Sequence, residues 1–109
     1  HETMCTLNDI CASAKKLLRF GGRLCICQRP ERLADAITVM RENALEPKRL
    51  QLVCRDKDSA PWLFLLMGQK GAKMHLNILP NFILYEDGHY TAQTHAMYKE
   101  SFRHGGNEI

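Results

Sequence analysis

No stretch of the 109-residue chain is apolar for long enough to span a bilayer, and no basic start leads into an apolar run with a cleavage site. Membrane insertion and secretion are therefore not expected, and the expected compartment is the cytoplasm. The sequence also has no G-x-G-x-x-G, no P-loop and no nucleophile elbow, which excludes the common catalytic signatures that can be read from sequence. There is no C-x-x-C pair. The five cysteines (Cys5, Cys11, Cys25, Cys27, Cys54) are odd in number and sit mostly in apolar runs, so a disulfide framework is not expected and core packing is. The histidines after His1 (His75, His89, His95, His104) are irregularly spaced, with no pair four apart on a convincing helix, and they predict no metal site. No repeat or low-complexity segment is present.

What remains is one ordinary domain's worth of chain with a formal charge of +3, compatible with a nucleic-acid partner and equally with a solvated surface. Thr6 and Asp9 have the spacing of a capping box, and Leu7, Ile10, Cys11, Ala14, Leu17 and Leu18 recur on one helical face. A helix should start near Leu7 and end at Gly21-Gly22, glycine being suited to a helix C-cap. Arg23 to Gln28 is short, apolar and bounded by Gly and Pro, as a buried strand would be, and it places Cys25 and Cys27 on one face. Pro30 fits the first turn of a second helix whose apolar positions are Leu33, Ala36, Ile37 and Met40, running to about Asn43. Glu46-Pro47 should close the connection.

Residues 49–55 and 61–67 read as two further strands. The polar loop between them is too short for a helical crossover, so they should pair antiparallel. Beyond Gly68 the pattern is a basic connector, an extended segment broken at Pro80, and a turn at residues 86–89 that returns through Tyr90-Thr91. A brief helix near Ala96, Met97 and Tyr98 and a frayed end complete the reading. The domain reading is therefore a unit over residues 1–68 and an extension over 69–109. The fold class is α/β, a partial Rossmann-like arrangement with a three-stranded mixed sheet, an antiparallel pair and two main helices.

In open α/β sheets ligands bind at the carboxyl ends of the strands, which directs attention to the corner Gln28-Arg29-Pro30. Arg29 and Arg32 flank that corner, and Lys48, Arg49 and Arg55 bracket the following strand. These five side chains are candidate RNA contacts, as planar forks or point charges on phosphate. The alternative for each is a solvated charge, with Arg32 able to pair with Glu31 or Asp35. Trp62, Tyr85 and Tyr90 are able to stack on bases, but Trp62 lies in an apolar strand and predicts core, and the tyrosines flank a turn and predict a hairpin clasp.

The pieces Arg29-Pro30-Glu31-Arg32-Leu33 and Leu45-Glu46-Pro47-Lys48-Arg49-Leu50 are the most specific of a longer set. With Cys5-Thr6-Leu7, Ala14 through Arg23, Leu79-Pro80, Tyr85, Gly88 and Tyr90-Thr91, they resemble the C-terminal half of bacterial S-adenosylmethionine-dependent tRNA (adenine-N6)-methyltransferases of the small-domain type. His1-Glu2 resemble the end of the segment before that half's first helix. Gln28 stands where the family pattern has histidine, a departure at the corner itself. The family's glycine-rich cofactor loop and Asn-Pro-Pro-Tyr motif are both missing, and both belong upstream of His1.

The resemblance therefore implies a fragment, as does the non-methionine start. Its parent enzyme would use S-adenosylmethionine on a tRNA adenine, while the chain itself would have no catalytic or cofactor-binding residues and no activity alone. It also implies the strand order 23–28, 61–67, 49–55, leaving Arg23 to Gln28 as an exposed edge and hence a homo-oligomer through that edge. The rival reading is a stand-alone α/β interaction module that dimerises through the same edge. A thiol or metal enzyme built on Cys25 and Cys27 is disfavoured by their spacing.

Overall fold

Thr6 begins the first helix as its sequence predicts. Its hydroxyl accepts a hydrogen bond from the Asp9 amide at 3.1 Å, and the Asp9 carboxylate accepts one from the Thr6 amide at 3.1 Å. In the computed structural model, which describes residues 6–92, the helix α1 (Leu7–Leu17) leads to strand β1 (Arg23–Gln28). A single 3₁₀ turn (Pro30–Arg32) and α2 (Leu33–Glu42) follow, then β2 (Leu45–Cys54) and β3 (Pro61–Lys70). Four two-residue strands complete the described chain: β4 (Asn77–Ile78), β5 (Phe82–Ile83), β6 (Tyr85–Glu86) and β7 (His89–Tyr90). The region expected to form a brief helix near Ala96 lies outside the described residues.

The main sheet has the order β1-β3-β2-β4, with β5 also paired to β2. β3 runs antiparallel to both neighbours, so β1 and β2 are parallel, joined by the α2 crossover with β3 inserted between them. This is the order implied by the family resemblance, and the fold is mixed α/β as expected. β3 continues past Gly68 to Lys70, and β4 and β5 join the same sheet. They add parallel to β2, an arrangement held by the Leu79 backbone amide, which donates to the Leu50 carbonyl (2.8 Å), and by the Gln51 side-chain Nε2, which donates to the Pro80 carbonyl (3.0 Å).

Several local expectations are corrected. Gly21-Gly22 does not cap α1: the cap is Leu18, in an extended conformation, and the Lys70 ammonium crosses from β3 to donate to the carbonyls of Lys15 (2.5 Å) and Leu18 (2.7 Å). Those last-turn carbonyls lack partners within the helix, and a cation at the negative end of the helix dipole satisfies them. Gly21, with φ +86°, makes the turn into β1 instead. Pro47 lies inside β2 rather than in the connection before it. It is accommodated by a register shift between Pro47 and Arg49, the kind of irregularity where a strand tolerates proline.

The core forms between the helices and one face of the sheet. Leu7, Cys11 and Ala14 of α1 and Ala36 and Met40 of α2 pack with Ile26, Leu50, Phe64 and Leu66. Gly68 belongs here because Met40 crosses over it: a Cβ at this position would lie 2.7 Å from the Met40 sulfur. Strand alternation sends Arg23, Cys25 and Cys27 to the opposite face, where both cysteines are exposed. Their predicted core role fails because both helices cover the same side of the sheet. Trp62 is likewise 54% exposed, beyond the helix layer that covers Phe64.

At the far end, Asp87 (φ +53°) and Gly88 (φ +81°) turn β6 into β7 with the paired positive φ angles of a type I′ hairpin. Tyr85 and Tyr90 stack across it with ring centroids 5.0 Å apart, the clasp that their sequence positions predict.

Candidate nucleic-acid interface

Because β1 and β2 are parallel, their carboxyl ends lie at one end of the sheet, and β3 starts there. Arg29 and Arg55 are the first residues past β1 and β2, on either side of the intervening β3; Gln28 and Leu52 both face Phe64, so Arg55 lies two residues further along the sheet than Arg29. Both side chains are exposed, and among the described residues neither has a carboxylate within ion-pair distance. Arg29 precedes the 3₁₀ turn in an extended conformation, the one favoured before proline, and its carbonyl accepts from the Arg32 amide at 2.9 Å. Arg55 is fixed through its backbone, its carbonyl accepting from the Tyr85 amide at 2.8 Å.

An open cleft of about 900 Å³ separates the loop at residues 55–59 from the β6–β7 hairpin. Arg55 and Lys57 supply its positive charge, and Asp56, Asp58, Glu86 and Asp87 its negative charge, so the lining is net acidic. Asp56 serves the loop, its carboxylate accepting from the Asp58 amide (3.0 Å) and the Ser59 hydroxyl (2.9 Å). Lys57 and the exposed Trp62 also belong to this end of the molecule, and the sequence pattern does not mark either as a contact. Strand order would have pointed to Lys57, which follows Arg55 by two; nothing in the apolar run around Trp62 marks it as exposed.

The other three candidates are dispersed. Arg32 pairs with Asp35 at 3.6 Å on the surface of the second helix. Lys48 donates to the carbonyls of Lys73 (2.8 Å) and Met74 (3.5 Å), pinning the connector between β3 and β4. Arg49 is exposed on the uncovered face, opposite Met67 and about 17 Å along β2 from its carboxyl end. The sheet thus brings Arg29 and Arg55 together and leaves Arg32, Lys48 and Arg49 elsewhere.

Chemically, this end offers the cations Arg29, Arg55 and Lys57 beside four carboxylates, Asp56, Asp58, Glu86 and Asp87, and the exposed ring of Trp62. No group of three or more His, Cys, Asp or Glu side chains suited to a metal ion occurs among the described residues. Burial pushes the Cys11 thiol above its ordinary pKa, as expected of an inert core cysteine rather than a nucleophile. No helix among the described residues is long and apolar enough to cross a membrane.

No protein-family model matches the sequence, and no curated protein matches it. The structure is similar to the crystal structure of a predicted O-methyltransferase from Agrobacterium tumefaciens, with a TM-score of 0.75 and 19% sequence identity. The match covers 91% of this chain and 46% of that one, so the chain spans less than half the length of the protein it resembles. At this identity the likeness establishes the fold, which is methyltransferase-like.

Proposed function

We propose that this chain is the C-terminal half of an S-adenosylmethionine-dependent methyltransferase acting on the exocyclic amine of a tRNA adenine, and that alone it contributes RNA contacts and no catalysis. The observation that carries the reading is a coincidence of two independent lines. The fold matches a predicted methyltransferase over 91% of the chain, and the tRNA-methyltransferase-like segment Arg29-Pro30-Glu31-Arg32-Leu33 falls at the carboxyl end of β1, where such sheets bind ligands. S-adenosylmethionine would supply the electrophilic methyl group in the parent enzyme. This chain's part is to position RNA: Arg29 and Arg55 hold phosphates, Lys57 adds unspecific affinity, and Trp62 offers a stacking face.

Calorimetry with S-adenosylmethionine tests the half-enzyme part of the proposal. No binding is expected, and tight binding would overturn it, since a chain that holds the cofactor has its own cofactor site. The RNA part is tested separately by titrating tRNA at increasing salt, where affinity should fall as counterions compete. The stand-alone interaction module keeps support from one observation: among the described residues, the outer side of β1 is unpaired and the face beside it is uncovered. Under that reading the titration shows no tRNA binding.

A further inference from the structure

From Ile10 through Pro30, and again from Ser59 through Tyr85, the sequence has no Asp or Glu. The fold brings parts of these two stretches together at the amino end of β1, opposite the candidate interface and about 20 Å from it along the strand. The Gly21 amide donates to the Lys70 carbonyl and the Lys70 amide to the Gly22 carbonyl, both at 2.9 Å, and the Gln69 side-chain Nε2 donates to the Gly21 carbonyl at 3.1 Å. With the Lys70 ammonium on the last turn of α1, these bonds commit the backbone here within the chain. Side chains are what is left to solvent. Lys15, Lys16, Arg19 and Lys73 are exposed, and among the described residues none has a carboxylate within ion-pair distance. Glu46, on the far side of β3, is held by Arg41 at 2.8 Å. Phe20 is 80% exposed, and its ring lies by Gly71, where a Cβ would come within 3.2 Å of it.

We propose that this surface is a second RNA-binding face, on which Lys15, Lys16, Arg19 and Lys73 hold phosphates and the Phe20 ring stacks on an unpaired base. The choice of polyanion rests on the RNA reading above, while the surface itself is separate from the Arg29 and Arg55 end. Charge favours a polyanion over a protein cover. A second copy would bring the same cations, and the remainder of a larger domain would have to supply a carboxylate to each of four clustered charges or bear the cost of desolvating them. Nor is there a strand to extend here, because the backbone is already bonded. A phosphate backbone pairs every cation and releases counterions as it binds. A bilayer is disfavoured because the apolar stripe of α1, Leu7, Cys11 and Ala14, is buried in the core and leaves the helix no face to lie in a membrane.

Fluorescence anisotropy with a labelled tRNA on the 109-residue chain tests the proposal. Lys15→Gln/Lys16→Gln/Arg19→Gln should weaken binding about tenfold or more and lower the salt slope by about 2 to 3, whereas Lys15→Arg/Lys16→Arg keeps the binding of the parent. The side chains are exposed, so the circular-dichroism spectrum should not change. Unchanged affinity in the Gln variant, or an equal loss in the Arg variant, would overturn the proposal. Phe20→Trp in a Trp62→Phe background puts the only tryptophan of the chain at this surface, and tRNA should quench its emission. Bound tRNA without quenching would overturn the stacking contact. Comparison with Arg29→Ala/Arg55→Ala separates the two faces. Loss in the Gln variant alone would overturn the carboxyl-end interface and keep this one, loss in the Arg29 and Arg55 variant alone would do the reverse, and a parent chain that binds no tRNA would overturn both. Binding to phosphatidylserine vesicles without binding to tRNA would overturn the RNA assignment in favour of a bilayer.

Discussion

On the helix-covered face of the sheet Ile26, Leu50, Phe64 and Leu66 are buried beneath α1 and α2, while on the other face of the same strands Cys25, Cys27 and Leu65 are exposed. Both faces carry apolar residues, although the uncovered one is interrupted by Arg23, Arg49, Gln51 and Gln69. What separates them is cover: α1 and α2 pack on the same side of the sheet. Apolar composition on both sides of a strand predicts burial on both sides, and here it is met on one. Among the described residues, neither that face nor the outer side of β1 is covered.

The contrast has measurable consequences, the largest of which compares neighbours on β3. Phe64→Ala should cost about 3–5 kcal/mol in urea unfolding, because the ring is fully buried and its removal leaves a cavity. Leu65→Ala, one residue along and pointing to the uncovered face, should cost less than about 1 kcal/mol at concentrations where the chain is monomeric. Equal losses would show that the uncovered face is packed after all. Gly68→Ala should cost about 1–3 kcal/mol by forcing Met40 aside, and combined with Met40→Ala the loss should fall short of the sum of the two.

A smaller effect is expected at the start of the helix layer, where Thr6→Ala removes one half of the capping box and should cost about 1 kcal/mol. The smallest is a pH dependence. The raised pKa of Cys11 means that the folded state keeps its thiol proton after the unfolded state has lost it. The corresponding stability is present below the ordinary thiol pKa and declines as pH rises above it. Thermal melts from about pH 8 to 10 should therefore show a shallower decline in Cys11→Ala than in the parent chain.

Features set by neighbouring residues were legible in the sequence. The Thr6–Asp9 capping box, the Pro30 corner and the Asp87-Gly88 turn all appear where local chemistry puts them. The strand order also holds, although it came from the resemblance to a family rather than from periodicity. What was illegible depends on contacts distant in sequence. The Lys70 ammonium caps a helix that ends more than fifty residues earlier, and β4 and β5 are too short to carry a pattern of alternation. At the candidate site, the pairing of Arg29 with Arg55 follows from strand order. The diversion of Lys48 to the Lys73 and Met74 carbonyls depends on the path of a connector that no motif fixes.

The proposed RNA role divides the basic residues by position, which makes one measurement decisive. Fluorescence anisotropy with a labelled tRNA should be recorded at several salt concentrations for Arg29→Ala/Arg55→Ala and, separately, for Arg49→Ala. The double variant at the carboxyl end should weaken binding about tenfold or more and lower the salt slope by about 2, while the uncovered-face variant changes either little. An unchanged affinity in the double variant, or an equal loss from Arg49→Ala, would contradict an RNA interface at the carboxyl end of the sheet.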